Sequence, residues 1–90
     1  MSLKVMKFGA EWCAPCKLLK PIWNKLEAEL DDVEFVTVDI DDDPELATKY
    51  SVSAVPTILF VKDGAVVDSL IGLHKESNIR KTIDGLVKEG

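Results

Sequence analysis

Ala10-Glu11-Trp12-Cys13-Ala14-Pro15-Cys16-Lys17 holds both cysteines of the chain, three positions apart, at the start of a run with helical periodicity. A thiol attacks a disulfide only as the thiolate. A catalyst of exchange therefore needs one exposed cysteine of lowered pKa and a second within reach to resolve the mixed disulfide. Cys13 falls where free helix amides and the positive end of the helix dipole favour an anion, while Cys16 lies one turn further in and shielded. Cys13 is the expected nucleophile and Cys16 the resolving thiol. Pro15 stiffens the first turn where its missing N–H is not needed. The competing readings are half a zinc site or a passive core pair, but a closed zinc site wants four ligands and His74 offers the only other strong one. No bound cofactor is expected, because the redox-active group is the Cys13–Cys16 disulfide itself.

Outward from the cysteines, Leu3 to Phe8 is a short, mostly apolar run that reads as a strand leading through Gly9 into the motif. From about Ala14 to Leu30, the residues Leu19, Ile22, Trp23, Leu26 and Leu30 recur at helical spacing and define one buried stripe, with Trp23 read as packing. Pro21 lies inside that stripe and is expected to kink the helix. Val33 to Ile40 reads as a strand buried over much of its surface. Asp43-Pro44-Glu45 opens a short helix through Tyr50, with an aspartate to cap free amides, proline at the first position and a carboxylate facing the dipole. Thr57 to Val61 and Ala65 to Ile71 are β-rich runs joined by Lys62-Asp63-Gly64, where Asp-Gly supplies the positive φ angles of a tight hairpin. Ile79, Ile83, Leu86 and Val87 mark one face of a C-terminal helix. The order β-α-β-α-β-β-α implies a mixed sheet, parallel through the first crossover and antiparallel in the hairpin.

Ninety residues, 47% hydrophobic and 30% charged, without Gly/Ser-rich or Pro-rich stretches, describe one domain spanning 1–90. Such a chain buries roughly 60 to 65% of its unfolded surface and folds without staples, which leaves the cysteines available for chemistry. A net charge of -5 argues against nucleic acid or an anionic membrane as partner and leaves protein substrates open. Met1-Ser2-Leu3-Lys4 runs into Val5-Met6-Lys7-Phe8, where lysine interrupts the early apolar run, so no signal-peptide core is expected. No apolar run approaches the roughly 18 residues of a membrane span. The cytosol is the expected location, where dithiols stay reduced.

The octapeptide around the cysteines resembles the active-site signature of the thioredoxin family, apart from Ala14 where glycine is usual. Pro21 matches that family's helix proline, Ala54-Val55-Pro56-Thr57 is similar to its substrate-binding turn, in which the proline is cis, and Asp63-Gly64 and Gly72 fall in register. The resemblance covers nearly the whole chain and implies a minimal α/β thioredoxin fold of four strands and three helices, without the family's first strand and helix. It implies that Trp12, Val55, Pro56, Gly72 and Leu73 ring Cys13 as an apolar docking surface, with Ala14 and Pro15 on the same rim. The Val55 backbone would pair with an extended substrate. It further implies protein-disulfide substrates, a thioredoxin-reductase-like electron donor and a monomer. Thioredoxins are themselves the reference case for a first-cysteine pKa of about 7 and a potential of about -270 mV, which are expectations here.

Two positions depart from the family. Lys7 stands where a buried aspartate is normal, and Thr37 where its lysine partner is normal. An inward Lys7 would lower the cysteine pKa values and favour the reduced state, raising the potential; the plainer reading is a strand lysine reaching solvent along its stem. Asp39, Asp41 and Asp43 copy the first ligands of a calcium loop, but Pro44 replaces its required glycine and Tyr50 its glutamate, so capping and solvation explain them. His74 is read as an exposed residue on the rim of the site. A glutathione-linked, glutaredoxin-like enzyme is the nearest rival, weakened by Gly72-Leu73 in place of a double glycine and by Trp12 before Cys13. A non-catalytic docking module is the rival of a different class.

Overall fold

The computed structural model describes residues 3–89; Met1 and Ser2, part of the stretch read for a leader, lie outside the described residues. The elements are β1 (Leu3–Gly9), α1 (Ala14–Glu29), β2 (Val33–Asp39), α2 (Pro44–Lys49), β3 (Thr57–Lys62), β4 (Ala65–Ile71) and α3 (Glu76–Glu89). They form an α/β structure around one four-stranded sheet in the order β2-β1-β3-β4. β1 runs parallel to β2, in register from Leu3 opposite Val33 to Gly9 opposite Asp39. β3 is antiparallel to both β1 and β4. The β3–β4 turn takes positive φ at both central residues, 51° at Asp63 and 81° at Gly64, which matches the right-handed twist of the hairpin. A bulge follows where the pairing shifts between Phe60 and Val61.

The central strands are buried on both faces, and alternation sorts their side chains between two clusters. Leu3, Val5, Ile58 and Phe60 meet Leu19, Trp23 and Leu26 of α1 and Ile79, Ile83 and Leu86 of α3. Met6, Phe8, Leu59 and Val61 face the other way, onto Ala47 of α2. Two helices therefore cover one side of the sheet and one covers the other. Trp23 stacks edge-on against Phe35 at 5.0 Å, while its indole N–H has no hydrogen-bond partner among the described residues. α1 continues through Pro21 as one helix. Asp43 caps α2 by accepting from the Leu46 amide at 3.2 Å, with Pro44 first in the helix. Lys62 Nζ donates to the Leu86 carbonyl in the last turn of α3, a cation at the negative end of that helix.

Two expectations need correction. β2 is an edge strand with only Val33 and Val38 buried, because one of its long sides lacks a neighbouring strand. Val87 is 42% exposed. Ile79, Ile83 and Leu86 already fill the stripe facing the sheet, and the next residue is rotated by roughly 100° out of it.

Candidate active site

The chain leaves β1 at Gly9 and turns once before α1 begins, with the Cys13 amide donating to the Ala10 carbonyl at 3.2 Å. Cys13 is the N-cap of α1, in extended conformation at φ -91° and ψ 110°, and Pro15 lies in the first turn. Its Sγ accepts the Cys16 amide N–H at 3.2 Å. The sulfur thus does for this helix what an aspartate or serine oxygen usually does, and a thiolate would do it better, because a negative charge meets both the free amide and the dipole. Cys13 and Cys16 are joined as a disulfide, with Cα atoms 5.3 Å apart.

Cys13 is not the exposed member of the pair. It is 4% exposed and Cys16 is 9% exposed, and both belong to a small cluster with Ala10 against which Val55 and Ile40 pack. The cap geometry turns the first sulfur toward the Val55 carbonyl oxygen, 3.7 Å away.

The loop before β3 supplies the opposite wall. The Val55–Pro56 bond is cis and Pro56 is fully buried. Thr57 Oγ1 donates to the Ala54 carbonyl at 2.6 Å, and the Gly72 amide donates to the Pro56 carbonyl at 2.8 Å. Gly72 itself sits at φ 88°, a conformation that a side chain would strain. These bonds hold the residues following β4 against the proline loop. Trp12 is 67% exposed, and Ile71 and Leu73 are exposed as well. The structure therefore brings Cys13, Val55 and Pro56 together and leaves Trp12 and Leu73 outward on the same end of the sheet as the cysteines.

Asp41 is a residue that sequence reasoning missed. Its Oδ2 accepts the Trp12 indole N–H at 2.9 Å, while its own amide donates to Asp39 Oδ1 at 2.8 Å. The acidic run was legible only as capping and solvation, since nothing in the spacing links it to Trp12. Among the described residues no group of three or more His, Cys, Asp or Glu is arranged to hold a metal. His74 is half-buried rather than exposed. Its Nε2 faces the Ile71 carbonyl at 3.0 Å and its Nδ1 faces the Asn78 amide nitrogen at 2.8 Å, a pairing that fits the neutral ring protonated at Nε2.

Lys7 points inward, against the plainer reading of a solvent-reaching lysine. It is 8% exposed, with Nζ 5.3 Å from the centre of the Trp23 ring. Burial pushes its pKa below the ordinary value, neighbouring Lys20 pushes the same way, and Glu27 opposes both. Thr37, its partner across β1 and β2, is exposed. Gly9 was also missed: a Cβ built there would lie 3.4 Å from Cys16 Sγ, so glycine leaves that side of the second cysteine open.

The family description "Thioredoxin" matches residues 1–85. A thioredoxin of Chlamydia trachomatis is 44% identical over 81 residues, covering 90% of this chain and 79% of its own. The X-ray structure of Fasciola hepatica thioredoxin is 44% identical with a TM-score of 0.87, covering 92% of this chain and 79% of that one. Oxidised mitochondrial thioredoxin 3 of Saccharomyces cerevisiae is 36% identical with a TM-score of 0.85, covering 92% and 77%. These matches favour neither the glutathione-linked rival nor the docking module. Identity at this level along nearly the whole chain, together with the closed cysteine pair, leads to one conclusion: the chain belongs to the thioredoxin family of protein-disulfide oxidoreductases.

Proposed function

We propose that Cys13 is the attacking thiol and Cys16 the resolving one, in a single domain that reduces disulfides of extended protein segments. The Cys13 thiolate attacks one substrate sulfur, and the other leaves as a thiolate. Cys16, once deprotonated, then attacks Cys13 Sγ, which releases the second substrate sulfur and re-forms the Cys13–Cys16 bond. Two electrons pass to the substrate, and a thioredoxin-reductase-like donor returns them. The observation that carries this assignment is the Cys16 amide donating to Cys13 Sγ at the start of α1, which singles out Cys13 as the sulfur whose anion is stabilised.

Trp12, Val55, Pro56, Gly72 and Leu73, with Ala14 and Pro15 beside them, form the docking surface in this reading, and an extended substrate segment pairs with the Val55 backbone, whose carbonyl oxygen lies 3.7 Å from Cys13 Sγ. Lys7 tunes the couple by favouring thiolates behind it, which raises the potential above the family's reference value of about -270 mV. The domain works as a monomer in a reducing compartment such as the cytosol, a reading supported by the use of both cysteines in the redox couple. The described helices include none long and apolar enough to cross a membrane.

Single-cysteine variants test the assignment with insulin as substrate. Cys16→Ser should accumulate a mixed disulfide through Cys13, and Cys13→Ser should trap none and turn over nothing. Insulin trapped on Cys16 of Cys13→Ser would reverse the roles.

A further inference from the structure

The mouth of the disulfide that faces Val55 is not the only approach to it. A groove of about 540 Å³ opens between α1 and β2, and its wall includes Cys16, Gly9, Lys7, Lys17 and Lys20 but not Cys13. Cys16 is the more exposed of the two cysteines, and the missing side chain at Gly9 leaves space beside its sulfur. Lys7 reaches the floor of the groove more than nine-tenths buried, with no hydrogen-bond or ion-pair partner among the described residues. Three lysines against Glu11 and Asp39 make the groove locally positive on a chain whose net charge is -5.

We infer that this groove is a second entrance to the disulfide, through which a small anionic thiol attacks Cys16 directly. The inference rests on Cys13 and Cys16 being the exchanging couple. The incoming thiolate RS⁻ forms a bond to Cys16 Sγ as the Cys13–Cys16 bond breaks. Its electron pair leaves on Cys13 Sγ, where the Cys16 amide receives the anion. A second RS⁻ attacks the R-bearing sulfur, releasing RSSR and a Cys16 thiolate; the two protons shed by the thiols restore the dithiol. Attack at Cys16 expels the better leaving group, since the more stabilised thiolate departs faster. Protein substrates, too large for the groove, remain confined to the Cys13 face.

Three thiols on one two-carbon scaffold separate charge from size: 2-mercaptoethanesulfonate, 2-mercaptoethanol and cysteamine. Reduction of the oxidised protein is followed by acid quench, alkylation and mass spectrometry, with rates expressed per thiolate. The expected order is sulfonate over alcohol over amine, with the sulfonate ahead of the alcohol by about threefold or more at low salt. That preference should collapse in Lys20→Gln and in high salt. In Cys13→Ser, the lone Cys16 should exchange readily with bis(2-sulfoethyl) disulfide, and Gly9→Val, added to it, should slow that exchange while circular dichroism stays unchanged. Equal rates for the three thiols, or a Cys16 unreactive toward the small disulfide, would overturn the second entrance. Insulin trapping on Cys13 of Cys16→Ser would stand in either case, so the two readings fail separately.

Discussion

Replacing Lys7 by methionine should make the oxidised protein more stable at pH 7. The lysine is buried beneath α1, where its charged form is desolvated and further opposed by Lys20. Its compensations are the Trp23 ring at 5.3 Å and the Glu27 charge. A partly desolvated cation over an aromatic face contributes about 1 to 2 kcal/mol, whereas an incompletely compensated buried charge costs several. Methionine keeps the length and most of the volume, so the net gain should be about 1 to 2 kcal/mol. For a domain of this size that is a rise of roughly 4 to 16 °C in Tm. Because burial holds the folded-state pKa below the ordinary 10.5, the unfolded chain binds more protons between those two values, and wild-type stability climbs relative to the variant as pH rises through that window. The gap between Lys7→Met and wild type should accordingly be widest below the lowered pKa and close as pH approaches 10.5. Urea unfolding of both oxidised proteins across neutral and alkaline pH measures it. A variant no more stable at pH 7, or a gap that widens with pH, would refute a desolvated lysine at this position.

The same substitution should lower the reduction potential, since it removes a positive charge that favours thiolates. An interaction of about 1 kcal/mol corresponds to about 20 mV in a two-electron couple, read from glutathione-buffer titrations; an unchanged potential would detach Lys7 from the redox couple. Ile83→Ala, in the stripe of α3 that faces Trp23 and Phe60, should cost about 2 to 5 kcal/mol of unfolding free energy in urea, because the rigid sheet beneath cannot collapse into the space. Asp41→Ala frees the Trp12 indole, so it should change stability by less than about 1 kcal/mol. Its expected effect is a KM for insulin raised severalfold with kcat little altered, and a fall in kcat alone would contradict a docking role for Trp12.

Element order and type were legible because each element carries its own local signal. Pro44 after Asp43 starts α2, Asp63-Gly64 dictates the hairpin, and the spacing of Leu19, Trp23 and Leu26 writes the buried face of α1. The cysteine pair was legible for the same reason, since a helix start and its cap are neighbours in sequence. What escaped depends on which strands end up adjacent. The edge position of β2 follows from strand order, which periodicity does not encode. The Trp12–Asp41 bond joins residues 29 apart, and the opening beside Cys16 is created by what Gly9 lacks. The greater burial of Cys13 depends on Val55, 42 residues away. Lys7 lay between these cases: alternation assigns it to a face, but only the packed helix shows how far that face is covered.

The pairing of Phe8 with Thr57 across antiparallel β1 and β3 sets the spacing between the cysteine turn and the proline loop. Neighbouring strands lie about 4.8 Å apart whatever the chain does between them. Everything from β2 through α2 is thus a detour that leaves this junction and returns to it. Lengthening the turn between α1 and β2, at the other end of the sheet, adds chain without altering the gap, so growth there is uncoupled from the chemistry. The exception is the turn carrying Asp41, whose length governs how Trp12 is presented. Evolution of partner choice can proceed through that turn while the sulfur-to-proline distance remains a property of the sheet.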